Sequence, residues 1–322
     1  MVLLVLLLLQ AGPASARTLT VCPSGCAYTQ IAPALAAAHS GDTIAIGPGT
    51  YVGGFTIDIS VKLVGAGAGA SIIRGGGTVV TIGSFGATTE PTVSIDEVTI
   101  TGGVARSSPE STALAGQEGI FALVGGIEIP PKADLAKGAR VTIRNSVITG
   151  NRAAPSRADS SGFAFAAGGG VDNWGTLTLT NTSVTNNRVG GRLASNAVGG
   201  GIRNWQSGSL TLRHSIVNHN HAISSGPNAC AAGGGGIDSL GKLTIARSVV
   251  NNNAVRLSIA ANCGEAQGGG IFIVEGGSAR ISNTTIDQNR VSTTSVGGDA
   301  IAFSGGIAEY GTLASAFREA WG

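Results

Sequence analysis

The fold is decided by Gly168-Gly-Gly-Val-Asp-Asn-Trp-Gly-Thr-Leu-Thr-Leu-Thr-Asn-Thr-Ser-Val-Thr-Asn-Asn187, because the same phrase returns at 199–220, 234–253 and 268–289. Each copy has a Gly-Gly-Gly-[Ile/Val] opening, an alternating run such as Leu177-Thr-Leu179, and an [Ile/Val]-x-x-Asn close. Aligned on that close, Asn151, Asn187, Asn220, Asn253 and Asn289 are 36, 33, 33 and 36 residues apart. Val93 to Gly103 fits the same frame, with Gly103 in the asparagine's place. A period of this length marks a solenoid, since one unit cannot bury its own apolar face and stacked copies can. Period-two alternation makes the elements strands rather than helices.

Working outward, residues 42–304 read as coils and 17–41 as a leader strand with a cap. In the cap, Thr29 is placed to N-cap a helix whose Ile31, Leu35 and Ala38 form one apolar face. Ser107-Ser-Pro-Glu110 and Pro130-Pro131 interrupt the rhythm, so 104–140 is expected to be an insertion loop. The segments 152–167, 188–198, 221–233, 254–267 and 290–304 are expected to be long connecting loops, the usual carriers of function. Residues 305–322 are an incomplete coil or a C-terminal cap, with Thr312 to Trp321 spaced for a helix. The whole of 17–322 is therefore a single all-β domain of roughly eight coils.

Glycine supplies 52 of 322 residues and only 12% are charged, yet Ile, Val and Leu recur in fixed phase, so a core is being built. The formal net charge of +2 gives no ground for nucleic-acid or membrane-surface binding. Met1 to Ala16 reads as a signal peptide: the apolar run is too short to span a bilayer, and Ala14-Ser15-Ala16 is a small-x-small cleavage site. The expectation is a secreted or cell-surface protein with no transmembrane span in the mature chain. No oligomeric state follows from the sequence.

Four cysteines in an exported chain favour disulfides. Cys22 and Cys26 share a tight loop, and Cys230 and Cys263 each lie ten residues beyond a closing asparagine. Stacked strands are about 4.7–4.9 Å apart, within the Cα separation of a disulfide, so Cys230–Cys263 is expected to join consecutive coils. Zinc is the weaker alternative for these thiols, because no Cys-x-x-Cys pair or histidine set completes a site. No metal is expected.

The leader strand, cap helix, Gly41-Asp-Thr-Ile-Ala-Ile-Gly-Pro-Gly-Thr-Tyr51 and Gly-Gly-Gly-Ile coils together resemble right-handed parallel β-helices of the pectin-lyase-like superfamily. The Gly-Gly-[Ile/Val] and [Ile/Val]-x-x-Asn pairing is also similar to repeats of polymorphic outer-membrane proteins, with Ile148, Val184, Val217, Val250 and Ile286 where those have Phe. The resemblance implies a groove along the first strand of each coil and a carbohydrate ligand. It carries over no catalytic residue: the Arg-x-Pro-x-x-Arg of pectate lyases, the aspartate motifs of pectin methylesterases and the polygalacturonase set are all missing. It implies no cofactor, although a lyase would admit calcium.

Strict alternation turns Asp172 and Trp174 outward, and the matching outward row is Glu128, Asp172, Arg203, Asp238 and Phe272. Such a row is either a catalytic set of carboxylates with an arginine or a charge ladder pairing neighbours across strands. Trp174 and Trp205 either present flat faces to sugars or cover the turns before Leu177 and Leu210. Arg152, Arg188, His221 and Arg290 follow the closing asparagines as a basic row, suited to an acidic polysaccharide or simply solvated. His214, His219 and His221 cluster in sequence, but the first two replace turn residues. Two functions remain. One is a non-catalytic, adhesin-like binder of glycans or surfaces, anchored on Trp174 and Trp205. The other is a polysaccharide-active enzyme, a lyase or glycoside hydrolase, built on the charged row.

Overall fold

The computed structural model describes residues 15–106, 120–159, 162–226, 228–259, 264–295, 301–309 and 312–313. Every ladder in it is parallel, and the strands fall into sheets of ten, eight, eight, six and six. The chain is a parallel β-helix.

One coil shows how the repeat becomes structure. Val171–Asn173 lies in the opening sheet, Thr176–Thr180 in the middle sheet and Ser183–Thr185 in the closing sheet. The next coil repeats each strand in register, with Val171 on Ile202, Leu177 on Leu210 and Val184 on Val217. All six of these side chains are buried in one Ile-, Leu- and Val-rich core that runs the length of the helix.

The stretches expected to be connecting loops each carry a strand at either end. After the closing strand the chain forms two more, such as Arg188–Gly191 and Asn196–Val198, before the next glycine opening. These stack into the two six-stranded sheets, which enclose a second core of their own. Nine of the twelve residues of that core are alanine, so the two sheets lie close together. Each coil from residue 104 onward thus has a main lobe and a smaller outer lobe. The expected insertion is the first such coil: Val104–Ala105, Phe121–Leu123 and Ile127–Ile129 are all in register with their successors.

The glycines and the asparagine build the waist between the lobes. Asn187 leaves the main lobe at the point where Gly169 and Gly170 re-enter it. A Cβ on Gly170 would stand 2.7 Å from the Gly201 carbonyl and 2.9 Å from the Asn187 side chain. Asn187 is buried and bonds in both directions along the helix. Its Oδ1 accepts from the Asn151 backbone and side-chain nitrogens, while its Nδ2 donates to Ile148 O and Asn220 Oδ1. Asn220 and Asn253 do the same, and Gly103 N joins the column through Asn151 Oδ1. The residue before each closing asparagine, including Asn186, His219 and Asn252, has a left-handed backbone.

At the N-terminus, Thr18–Val21 starts the middle sheet, and Ile31–Ala37 is a helix that buries Ile31, Ala34 and Leu35 in the main core. Its N-cap is Gln30, not Thr29, and the Gln30 side chain accepts a bond from Val52 N instead. Cys22 and Cys26 are joined. Cys230 is a half-cystine; Cys263 lies outside the described residues, as do residues 1–14 of the expected signal peptide. Gly305-Gly306 opens a further coil, with Ile307–Glu309 paired to Ile271–Ile273. Thr312–Leu313 is a strand of the middle sheet rather than the start of a helix, and 314–322 lie outside the described residues.

Candidate active site

The outward row has the register read from the repeat. Thr56, Thr81, Glu128, Asp172, Arg203, Asp238 and Phe272 are successive partners in the opening sheet. Facing away from the main core does not expose them, however. Asp172 is 1%, Arg203 6% and Asp238 0% exposed, because the outer lobe folds back over this part of the opening sheet. Gly233 of the lobe shows how close the cover is: a Cβ there would be 2.7 Å from the Phe272 ring and 3.3 Å from Asp238 Oδ2.

Arg203 and Asp238 form a buried ion pair. The Arg203 guanidinium also lies 4.3 Å over the Trp205 ring, which stacks on Trp174 at 4.5 Å and 17°. Phe165 of the outer lobe packs 6.3 Å from Trp205. Trp174 is 3% exposed and Trp205 is partly covered, so the pair presents no open platform to a sugar. Its place is the turn before Leu177 and Leu210 and the seam between the lobes.

The covering stops at one end. The outer-lobe sheets begin at Val104 and Phe121, so among the described residues the rungs of Thr56 and Thr81 have no outer-lobe strands of their own. There the row opens into a cleft of about 620 Å³ lined by Thr56, Thr81, Ser84, Phe85, Arg106 and Glu128. Phe85 is 51% exposed and gives the cleft an apolar face among hydroxyls. Half-buried Glu128 accepts a bond from Thr81 Oγ1 and is pushed above its ordinary value by burial, which that bond opposes. Directly behind it, Asp172 accepts 2.8 Å from the Trp205 indole nitrogen. Burial pushes Asp172 up to about 7; the nearby Glu128 charge adds to the shift, and the Trp205 bond and Arg203 oppose it. Both of these carboxyl groups on adjacent rungs are raised by burial, and Asp172 is poised to hold a proton near neutral pH.

Sequence reasoning named both carboxylates and missed the cleft. Its walls come from the first coils, where Gly53-Gly54 passes straight from the closing strand to the next opening strand. That absence of an intervening stretch is the signal that the row is uncovered there. The basic residues Arg152, Arg188, His221 and Arg290 stack in register on the outer lobe, away from the buried row. His214 and His219 occupy left-handed turn positions. No group of three or more His, Cys, Asp or Glu that could hold a metal occurs among the described residues. Glu128 and Asp172 alone do not make the six to eight oxygen ligands that calcium takes.

No family model matches the chain, and no curated protein does. Among solved structures it is similar to pectin methylesterase from Aspergillus niger, at 15% identity over 96% of this chain and 88% of that one, TM-score 0.39. Pectin methylesterase from carrot matches at 11% identity over 91% and 90%, TM-score 0.44. A pectate lyase matches at 14% over 93% and 78%, TM-score 0.29. The parallel β-helix itself is shown by the all-parallel sheets of this chain. No activity is transferred from these likenesses.

Proposed function

We propose that this chain is an exported polysaccharide-active enzyme, a lyase, working in the cleft at Glu128. The observation that carries the reading is the carboxyl pair at the cleft's inner end, with Asp172 held near neutrality. Elimination needs a base for the proton beside a uronate carboxylate and a cation to neutralise that carboxylate; Glu128 and Arg106 line the same cleft. Glu128 takes the proton, the bond to the glycosidic oxygen breaks as the double bond forms, and the proton passes to the leaving oxygen. Asp172, buried behind it, does not touch substrate. Its proton, held up to about 7, leaves Asp172 uncharged beside Glu128 below neutrality. Phe85 and the hydroxyls of Thr56, Thr81 and Ser84 suit the apolar face and the polar rim of a sugar ring. The Arg203–Asp238 pair is a buried support of the wall rather than part of the chemistry. The Ile31–Ala37 helix, in the same proposal, closes the first coil.

The test is turnover of soluble acidic polysaccharides by the secreted chain, followed as unsaturated product. The wild type should form product, and Glu128→Gln should be at least ~100-fold slower with an unchanged unfolding midpoint. No product from any uronate polymer, or undiminished turnover by Glu128→Gln, would sink the proposal.

A further inference from the structure

The small net charge hides one strongly cationic face. The first outer-lobe sheet consists of Val104–Ala105, Arg152–Ala153, Arg188–Gly191, His221–Ser224, Ala254–Ile259 and Arg290–Ser295. None of these strands contains Asp or Glu. Alternation sends Ala153, Val189, Ala222 and Val255 into the second core and leaves the basic residues outside. Arg152, Arg188, His221, Ala254 and Arg290 are consecutive partners in register, and Arg256 stands on the same face, two residues along from the alanine gap.

At about 4.8 Å per rung, Arg152 to Arg290 spans roughly 19 Å. All four arginines are exposed, and none takes part in an ion pair among the described residues. Their mutual repulsion is felt: partial burial pushes Arg188 down, and the neighbouring Arg152 and Arg256 charges add to it. Like charges stacked on adjacent rungs cost stability, and no ion pair among the described residues offsets them. The face begins at the rim of the cleft, because Val104, partner of Arg152, lines that cleft together with Arg106.

We infer that this face is a second binding site, for a linear acidic polysaccharide laid along the helix axis. A straight row of guanidinium groups at strand spacing fits a polymer with anionic groups at short, regular intervals. The strands themselves hold no Phe, Tyr or Trp, so the row carries no succession of rings on which the bases of a single-stranded nucleic acid would stack. They do hold hydroxyls on the same side, including Ser292 and Thr294, which suit sugar hydroxyls. The site acts as a stationary grip beside the cleft and binds whether or not the cleft turns over.

The experiment is equilibrium binding of heparin, neutral dextran and double-stranded DNA over a salt series. The proteins are wild type, an Arg152→Ser/Arg188→Ser/Arg256→Ser/Arg290→Ser variant, the corresponding four-lysine variant and Glu128→Gln. Wild type should bind heparin in preference to DNA, more weakly as salt rises, and leave dextran unbound. The serine variant should lose at least tenfold in affinity with its unfolding midpoint unchanged, the lysine variant should keep much of the binding, and Glu128→Gln should bind as wild type does. Absence of heparin binding, equal or tighter binding of DNA, or wild-type affinity in the serine variant would each overturn the inference. If the four-serine variant does not fold, the single Arg152→Ser, Arg188→Ser, Arg256→Ser and Arg290→Ser variants decide, since weaker heparin binding in each retains the site and wild-type affinity in all four removes it.

Discussion

In the proposed reading Asp172 sets the charge beside Glu128, and its environment has a thermodynamic signature. Its folded-state value of about 7 is above the ordinary aspartate value of 3.8. Between those two values the folded protein holds a proton that the unfolded chain has released. Stability is therefore lost as pH rises through that window and levels off above it. At about 1.4 kcal/mol per unit the full effect is on the order of 4 kcal/mol. Asp172→Asn removes the titrating group and keeps a similar shape. The wild type should lose stability relative to this variant between pH ~4 and ~7 in chemical unfolding; a difference independent of pH would contradict the assignment. The comparison between two proteins matters, because His221 is pushed down by burial and by Arg256 and Arg188, and it contributes with the opposite sign. That contribution is common to both.

At the scale of the coil, the waist is where the sequence is most constrained. Gly170→Ala forces a methyl group against the Gly201 carbonyl and the Asn187 side chain. It should cost about 1–3 kcal/mol in unfolding free energy. Gly69→Ala, where nothing lies within 4 Å, should be neutral or slightly stabilising; equal tolerance of the two would mean that the waist is not close-packed. The main-lobe strands and their register were legible in the repeat, because Leu177, Leu179 and Val184 alternate against polar neighbours. Glu128, Asp172, Arg203 and Asp238 were legible as one column for the same reason. The outer-lobe strands were not. Ala-Ala-Gly233 and Asn196-Ala-Val198 have little strand propensity of their own, and they are strands because a copy lies on either side. Alternation also reports only which core a residue avoids. It said that Asp172 faces away from the main core and could not say that a second lobe lies over it.

Over the whole molecule, the proposed function rests on a mismatch in length between the lobes. The main sheets start before residue 60, the outer lobe only at Val104, and the polar row is left open where they differ. The result is a cleft with Thr81 and Glu128 on its floor and a buried, proton-holding Asp172 just behind. Trp174 and Trp205, the anchors of the non-catalytic reading, are used up in joining the lobes. The basic face of the outer lobe extends from the rim of the cleft, so gripping and reaction are assigned to different surfaces. The most direct test of this account is a pH titration of the side-chain carboxyl carbons by NMR, in wild type and in Glu128→Gln. The account predicts that the Asp172 carboxyl titrates near pH 7 in wild type and at a lower pH once the Glu128 charge is removed. A midpoint in the ordinary aspartate range near 3.9, or one that Glu128→Gln leaves unmoved, would contradict it.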